Sequence, residues 1–114
     1  MAAVAIVRAA RKYGLNVGIK WPNDILYEGK KLVGILTEMN AEMERINYIV
    51  IGTGINVNLW PEDFPEDVRD IATSLAMAKG EALPRKELFA HILNAFDELY
   101  QAVLKDGFAP VLDE

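Results

Sequence analysis

Cysteine is absent from this sequence and histidine occurs once, at His91. The first absence excludes disulfides, thiolate metal sites and a cysteine nucleophile. The second means that a zinc centre or a Ser-His-Asp triad would rest entirely on His91. Long apolar runs are missing too. The N-terminus, Met1 to Val7, has no basic residue ahead of it and reaches Arg8 after seven apolar residues. That is too short to span a membrane and has the wrong flanks for a signal peptide. Basic charge is in short supply, with a formal net charge of −5, so neither nucleic acid nor an anionic membrane is an expected partner. No repeat, low-complexity tract or phosphate-binding P-loop occurs. Gly52-Thr53-Gly54 resembles part of a dinucleotide fingerprint, but no third glycine opens a helix where one is needed.

What is present is the composition of an ordinary soluble globular domain. The chain has 114 residues, 52% hydrophobic and 25% charged, enough for one domain at most. A cysteine-free chain suits a reducing compartment, and the cytoplasm is expected. Alanine-rich Ala2 to Tyr13 reads as a helix, with Arg8, Arg11 and Lys12 suiting its negative end and Gly14 supplying the C-cap. The helix is apolar nearly all round at its start, so more than one neighbour must cover it.

Strands are expected at Val17 to Trp21, Ile25 to Tyr27, Leu32 to Met39 and Tyr48 to Asn58, with turns at Glu28-Gly29-Lys30 and Asn40 to Arg45. Strict alternation puts Val17, Ile19 and Trp21 on one face, with Gly18 and Lys20 on the other. It groups Leu32, Gly34, Leu36 and Glu38 against Val33, Ile35, Thr37 and Met39. In the last strand Ile49, Ile51, Thr53, Ile55 and Val57 oppose Tyr48, Val50, Gly52, Gly54, Asn56 and Asn58. Each of three strands thus carries glycine on one face, and glycine inside a strand marks close approach by a ligand or another backbone, or a bulge. If those faces coincide, the sheet offers a bare platform, edged by an ammonium and carboxamides, on which a flat ring could lie. Bulges, or a closely packed helix, would explain the same glycines.

The stretch Lys20-Trp21-Pro22-Asn23-Asp24 sits where chemistry would be placed. Proline holds the residue before it extended, and Asn-Asp after it is turn chemistry. Lys20 is therefore a cation at a strand-to-turn junction, a usual place for function; an edge-strand lysine that blocks unwanted pairing would look the same. After Asn58 come a loop from Trp60 to Pro65, a short helix Ser74 to Lys79 capped by Thr73 and ended by Gly80, and a long helix from Pro84 to about Leu104. Its stripe of Leu88, Phe89, Ile92, Phe96, Leu99, Tyr100 and Val103 reads as core. Glu87, His91, Asn94 and Glu98 form a polar face on which His91 is expected to be solvated. Gly107 ends the helix, and Ala109 to Glu114 reads as the start of another element.

Three stretches, taken together, resemble biotin protein ligases in order and spacing: Lys20 to Asp24, Lys31-Leu32-Val33-Gly34-Ile35-Leu36-Thr37-Glu38, and Ile51-Gly52-Thr53-Gly54-Ile55-Asn56-Val57-Asn58. Ala72-Thr73-Ser74-Leu75 is similar to the family's segment after its last core strand, so the likeness spans almost the whole chain. The resemblance implies an α+β fold, a mixed or antiparallel sheet backed by helices as in class II aminoacyl-tRNA synthetases. It implies synthesis of biotinyl-5′-adenylate from biotin and ATP, and transfer of biotin to a lysine of a biotin carboxyl carrier protein. Lys20 would be the catalytic residue, beside the biotin carboxylate and the adenylate phosphate. Ile25, Gly34 and Ile35 would line the biotin site, and Gly54, Asn56 and Asn58 the nucleotide site. Magnesium would accompany ATP, although no metal motif is visible.

The family also uses an upstream glycine- and arginine-rich loop, and many members carry a small C-terminal domain; residues 1–114 show neither. The chain is therefore expected to represent an incomplete catalytic domain with little activity alone, partnered by the missing N-terminal half or by a second copy. Other readings stay open: a noncatalytic module binding biotin or an adenylate, a fragment that dimerises through its sheet edge, or a lipoate-ligase-like acyl activator.

Overall fold

The computed structural model describes residues 1–21 and 23–107; Pro22 and the element expected at Ala109 to Glu114 lie outside the described residues. The architecture is α+β. A four-stranded antiparallel sheet in the order β1-β2-β3-β4 is built from Gly18–Lys20, Asp24–Tyr27, Lys30–Glu42 and Arg45–Ile55. One face is backed by helix α1 (Ala2–Arg11) and helix α3 (Arg85–Asp106), with the short α2 (Leu75–Lys79) between them in sequence.

Helix α1 buries Ala3, Val4, Ala5, Ile6, Val7, Ala9 and Ala10, which only a helix covered on two sides does. The sheet supplies one cover. The second is α3 of this same chain, whose Ala95 and Leu99 pack on Val4 and Ala5. The helix stops at Arg11, two residues earlier than expected, because Lys12, Tyr13 and Gly14 close a turn on the last carbonyls, with Gly14 at φ +79°.

The β2–β3 connection is a two-residue turn with Glu28 and Gly29 both at positive φ (51° and 82°), the geometry whose twist matches paired strands. The β3–β4 hairpin differs from expectation. The polar stretch Asn40 to Arg45 does not form a broad turn; β3 continues to Glu42 and β4 begins at Arg45, so only Met43 and Glu44 lie between them. A register shift between Asn40 and Ala41 absorbs the mismatch. Ladder hydrogen bonds outweigh the weak strand preference of Asn and Glu here.

Beyond β4 the chain makes two short 3₁₀ turns, Pro61–Asp63 and Glu66–Val68, in what reads by sequence as plain loop. Ser74, not Thr73, caps α2: its Oγ accepts from the Met77 amide at 3.1 Å and donates to the Leu59 carbonyl. Gly80 at φ +86° ends that helix. On α3, Leu88, Ala95 and Leu99 are buried, but Phe89 and Tyr100, expected in the core, are 62% and 46% exposed. Among the described residues, no helix is long and apolar enough to cross a membrane.

His91 is half-buried on the polar face and keeps part of its ring in solvent. Its Nε2 lies 3.3 Å from Glu87 Oε1, and its ring meets Tyr13 edge-on at 6.0 Å. Tyr13 donates to the same Glu87 oxygen at 3.1 Å, tying the end of α1 to the start of α3. No cluster of carboxylates, histidines or cysteines able to hold a metal occurs among the described residues.

Two outcomes test this packing. Ser74→Ala removes a buried cap and leaves the Leu59 carbonyl unpaired, and should cost about 1–2 kcal/mol in urea unfolding. Desolvation, then the hydrogen bond to Glu87 and its negative charge, raise the Tyr13 pKa above the ordinary tyrosine value. A raised folded-state value means that the Tyr13 contribution is fully present below the unfolded pKa of about 10 and is lost as pH rises through the folded one. Tyr13→Phe should therefore destabilise at neutral pH and remove that alkaline loss, as read from melts taken from pH 7 to 11.

Candidate functional site

The sheet's two faces have different uses, and one irregularity separates them. Ile25 pairs with Val33, but the next residue of β2, Leu26, pairs with Lys31, so Leu32 is an extra residue in β3. That bulge turns two consecutive side chains, Leu32 and Val33, into the core, where they are 0% and 1% exposed. Strict alternation, which groups Leu32 with Gly34, fails here. As a result Lys31 and Gly34 share the face away from the helices. The bulged backbone is not left unpaired. Lys31 donates its amide to the Ile71 carbonyl at 2.8 Å and accepts from the Thr73 amide at 2.9 Å, a local parallel bridge centred on Ala72.

On this outer face the register brings Lys20, Asp24, Gly34 and Gly54 into one row across all four strands, since directly paired residues of antiparallel strands share a face. Leu36 and Gly52 form the next row. The glycine faces of β3 and β4 do coincide. Gly18, by contrast, pairs with Leu26 one row off, so it does not extend the floor. The result is a shallow basin of about 620 Å³ bordered by Asn23, Asp24, Lys31, Leu36 and the three glycines Gly34, Gly52 and Gly54.

Lys31 is the group that sequence reading missed. Its Nζ lies 3.5 Å from Asp24 Oδ1, and its Cε and Nζ both lie 3.3 Å from where a Gly34 Cβ would stand. A side chain at position 34 would thus occupy the space that the ammonium uses. Alternation places Lys31 on the helix side, and only the bulge reverses it, so strand periodicity pointed away from it although it opens one of the family motifs. Asp24 was visible as part of a turn, but its pairing across the sheet was not. Lys20 stands at the row's end with its side chain exposed, and its ammonium forms no ion pair among the described residues. Trp21 beside it is 67% exposed.

The other expected residues separate. Ile25 is fully buried, opposite Ile19 and Val33, in the core on the helix side. Its side chain supports the platform from behind and does not line it. Ile35 pairs with Thr53 and packs against the same core, so it borders the basin through its backbone, which Asn23 holds by accepting the Ile35 amide at 2.9 Å. Asn56 and Asn58 act as staples. Asn56 Nδ2 donates to the Thr73 carbonyl at 3.1 Å. Asn58 uses both ends of its carboxamide on Leu83, donating to its carbonyl at 3.0 Å and accepting its amide at 2.8 Å. Neither asparagine borders the basin. Two clefts beside α3 are mainly apolar and bring no carboxylate to their walls; a third, between the basic end of α1 and α3, is polar, with Arg8, Arg11, Lys12, His91, Asn94 and Glu98 around it.

Residues 1–56 match the model of the biotin/lipoate A/B protein ligase family. The bifunctional ligase/repressor BirA of Bacillus subtilis is 50% identical over 112 residues, 97% of this chain and 34% of that protein. The biotin–[acetyl-CoA-carboxylase] ligase of Mycobacterium tuberculosis is 41% identical over 75 residues, 66% of this chain and 24% of its own length. The apo biotin protein ligase of Aquifex aeolicus superposes with a TM-score of 0.80 at 28% identity, over 94% of this chain and 46% of that one. The chain belongs to the biotin/lipoate protein ligase family. It spans about a third of the length of its Bacillus relative and under half of the Aquifex ligase, the latter also solved with biotin and ATP. These ligases are enzymes, and the α+β fold with its antiparallel sheet is theirs.

The Lys31–Asp24 pair is more than a third open to solvent on its lysine side, where ion pairs contribute about 0–1 kcal/mol. Lys31→Met should therefore change the unfolding free energy by less than about 1 kcal/mol. A larger loss in a urea titration would mean that Lys31 serves the fold and not the basin.

Proposed function

We propose that this chain supplies the platform part of a biotin protein ligase site. In the complete enzyme, a biotin carboxylate oxygen attacks the α-phosphorus of ATP, pyrophosphate leaves, and biotinyl-5′-adenylate forms. The ε-amine of a carrier-domain lysine then attacks the acyl carbon, AMP departs, and an amide bond remains. The observation that supports this reading is the glycine floor with the Lys31 ammonium against it.

Both steps gather negative charge on phosphate and carboxylate oxygens, and fixed cations stabilise such charge without reorganising. Lys31, held over Gly34 with its backbone clamped, meets that charge, and Lys20, exposed at the end of the same row, adds a second cation outside the basin's border. The glycines let a flat ring approach the backbone closely. Magnesium supplies charge neutralisation to ATP when bound and takes only one or two protein carboxylates. Asp24 is the carboxylate that borders the basin, so the donor set fits that ion.

The basin is open to solvent on the side away from the helices. Activation of an acyl group needs water excluded and reactants enclosed, so the isolated chain binds the adenylate weakly and turns over little or nothing. The deciding experiment is calorimetric titration with a nonhydrolysable biotinyl-adenylate analogue. Saturable binding, weakened about tenfold or more by Lys31→Ala and by Lys20→Ala, is the expected outcome for charge-assisted contacts of this kind. Binding that neither substitution alters would sink this reading. Gly34→Val supplies an independent check: the fold should persist, since β-branched residues suit strands, while binding is lost as the new side chain displaces the ammonium.

A further inference from the structure

Among the described residues, Asp24 is the one carboxylate on the border of the basin, and its place in the sheet is unusual. It opens β2, an interior strand with β1 on one side and β3 on the other, although aspartate is among the residues depleted in strands. The backbone around it is fixed. Asp24 pairs with Lys20 and with Gly34, and the Asn23 carbonyl just before it accepts the Ile35 amide at 2.9 Å. Beyond Asp24 its row holds only glycine, Gly34 and then Gly54, so the row itself puts no side chain between the carboxylate and the basin floor.

The carboxylate is only partly used. Lys31 Nζ lies 3.5 Å from Oδ1, while Oδ2 accepts nothing among the described residues. The side chain is 33% exposed, held in place on one oxygen and open to a reactant on the other. An ionised carboxylate offers acceptor sites on both oxygens, so the Lys31 contact leaves most of that capacity vacant.

We infer that Asp24 is the proton acceptor for the attacking amine when biotin passes from the adenylate to a lysine side chain. The inference rests on the ligase reading above and deepens it, because the transfer step there has no group to take the proton. Lysine in water keeps its extra proton up to about pH 10.4, and it attacks only as the neutral amine. That amine must then lose one of its two remaining N–H protons to become an amide. In the step, the nitrogen lone pair forms the C–N bond to the acyl carbon and one N–H proton passes to Asp24 Oδ2. The bond from the acyl carbon to the phosphate oxygen breaks, and its electron pair departs with AMP. Asp24 returns the proton to solvent. As the C–N bond forms the nitrogen becomes strongly acidic, so a carboxylate is base enough to receive its proton. Lys31, on the other oxygen, stays charged for the departing phosphate. This use of Asp24 falls after pyrophosphate has left, so it does not compete with a magnesium contact in the first step.

The test gives the full chain synthetic biotinyl-5′-adenylate at saturation, with Nα-acetyl-lysine methylamide as the amine and EDTA present, so that transfer alone is read. Biotinylated lysine and AMP are followed by chromatography, and each variant is checked for a cooperative melt. The wild-type chain should accelerate aminolysis over buffer. Asp24→Asn should lose most of that acceleration, out of the roughly 10²–10⁴-fold that a positioned base contributes. Formate added to Asp24→Ala should restore part of the rate by entering the vacated space. Glu38→Gln, two rows along the same strand and outside the basin's border, should change nothing. An Asp24→Asn rate equal to wild type overturns the inference, as does an equal loss in Glu38→Gln. So does a wild-type chain that binds the adenylate analogue but leaves aminolysis at the buffer rate. A loss that formate fails to restore assigns Asp24 to holding Lys31 and overturns it too. In each of these cases, analogue binding that depends on Lys31 leaves the ligase reading standing. Absence of that binding removes the ligase reading itself, and this inference with it.

Discussion

The extra residue in β3 is the constraint on which both faces of the sheet depend. By turning Leu32 and Val33 together into the core, the bulge buries two branched side chains side by side, each contributing about 1.5–3 kcal/mol. That gain offsets the broken ladder. The disrupted backbone finds replacement partners in Ile71 and Thr73, so the irregularity is satisfied and rigid. Its consequence for chemistry is the position of one ammonium. With the bulge, Lys31 rises over Gly34 beside Asp24; without it, Lys31 would point at the helices and the platform would have no cation above it.

The segment after β4 connects that constraint to the rest of the molecule. Thr73 binds the Lys31 backbone on one side and receives the Asn56 amide on the other, while Leu75 donates to the Asn56 carbonyl. Ser74, fully buried, caps α2 and holds the Leu59 carbonyl. Asn58 fastens Leu83 just before α3 begins. These contacts use side-chain amides and hydroxyls in place of a further strand. They make Ala72 to Leu75 a brace for the basin face, even though the brace itself lies away from the basin. The two asparagines near the glycine motif thus have a structural occupation in this chain that is sufficient to explain their place in the sequence.

The sheet is not used evenly. Its proximal half carries a core on one side and the basin on the other, whereas the β3–β4 overhang has apolar residues on both faces and no charge along β4 beyond Arg45. A free edge of that kind is a liability in a self-contained domain. The platform and its charges are thus prebuilt on an open face of the sheet.

Local chemistry made much of this legible from sequence. Alanine-rich α1, the Glu28-Gly29 turn, the Gly80 cap and the periodic α3 depend on contacts within a few residues, and each lies where expected to within two or three positions. The glycine faces of β3 and β4 were readable for the same reason, because alternation is local wherever the ladder is regular. The motifs from Lys20 to Asn58 were enough to mark the family. Tertiary structure decided what a period of two cannot express: the inserted residue at Leu32, the rise of Lys31 onto the platform, the burial of Ile25 behind it and the capture of Asn56 and Asn58 by distant backbone. A bulge is set by which side chains the core can accommodate and by which backbone arrives to satisfy the gap. Both depend on residues some forty positions away, Ile71 and Thr73, and no pattern within β3 records them.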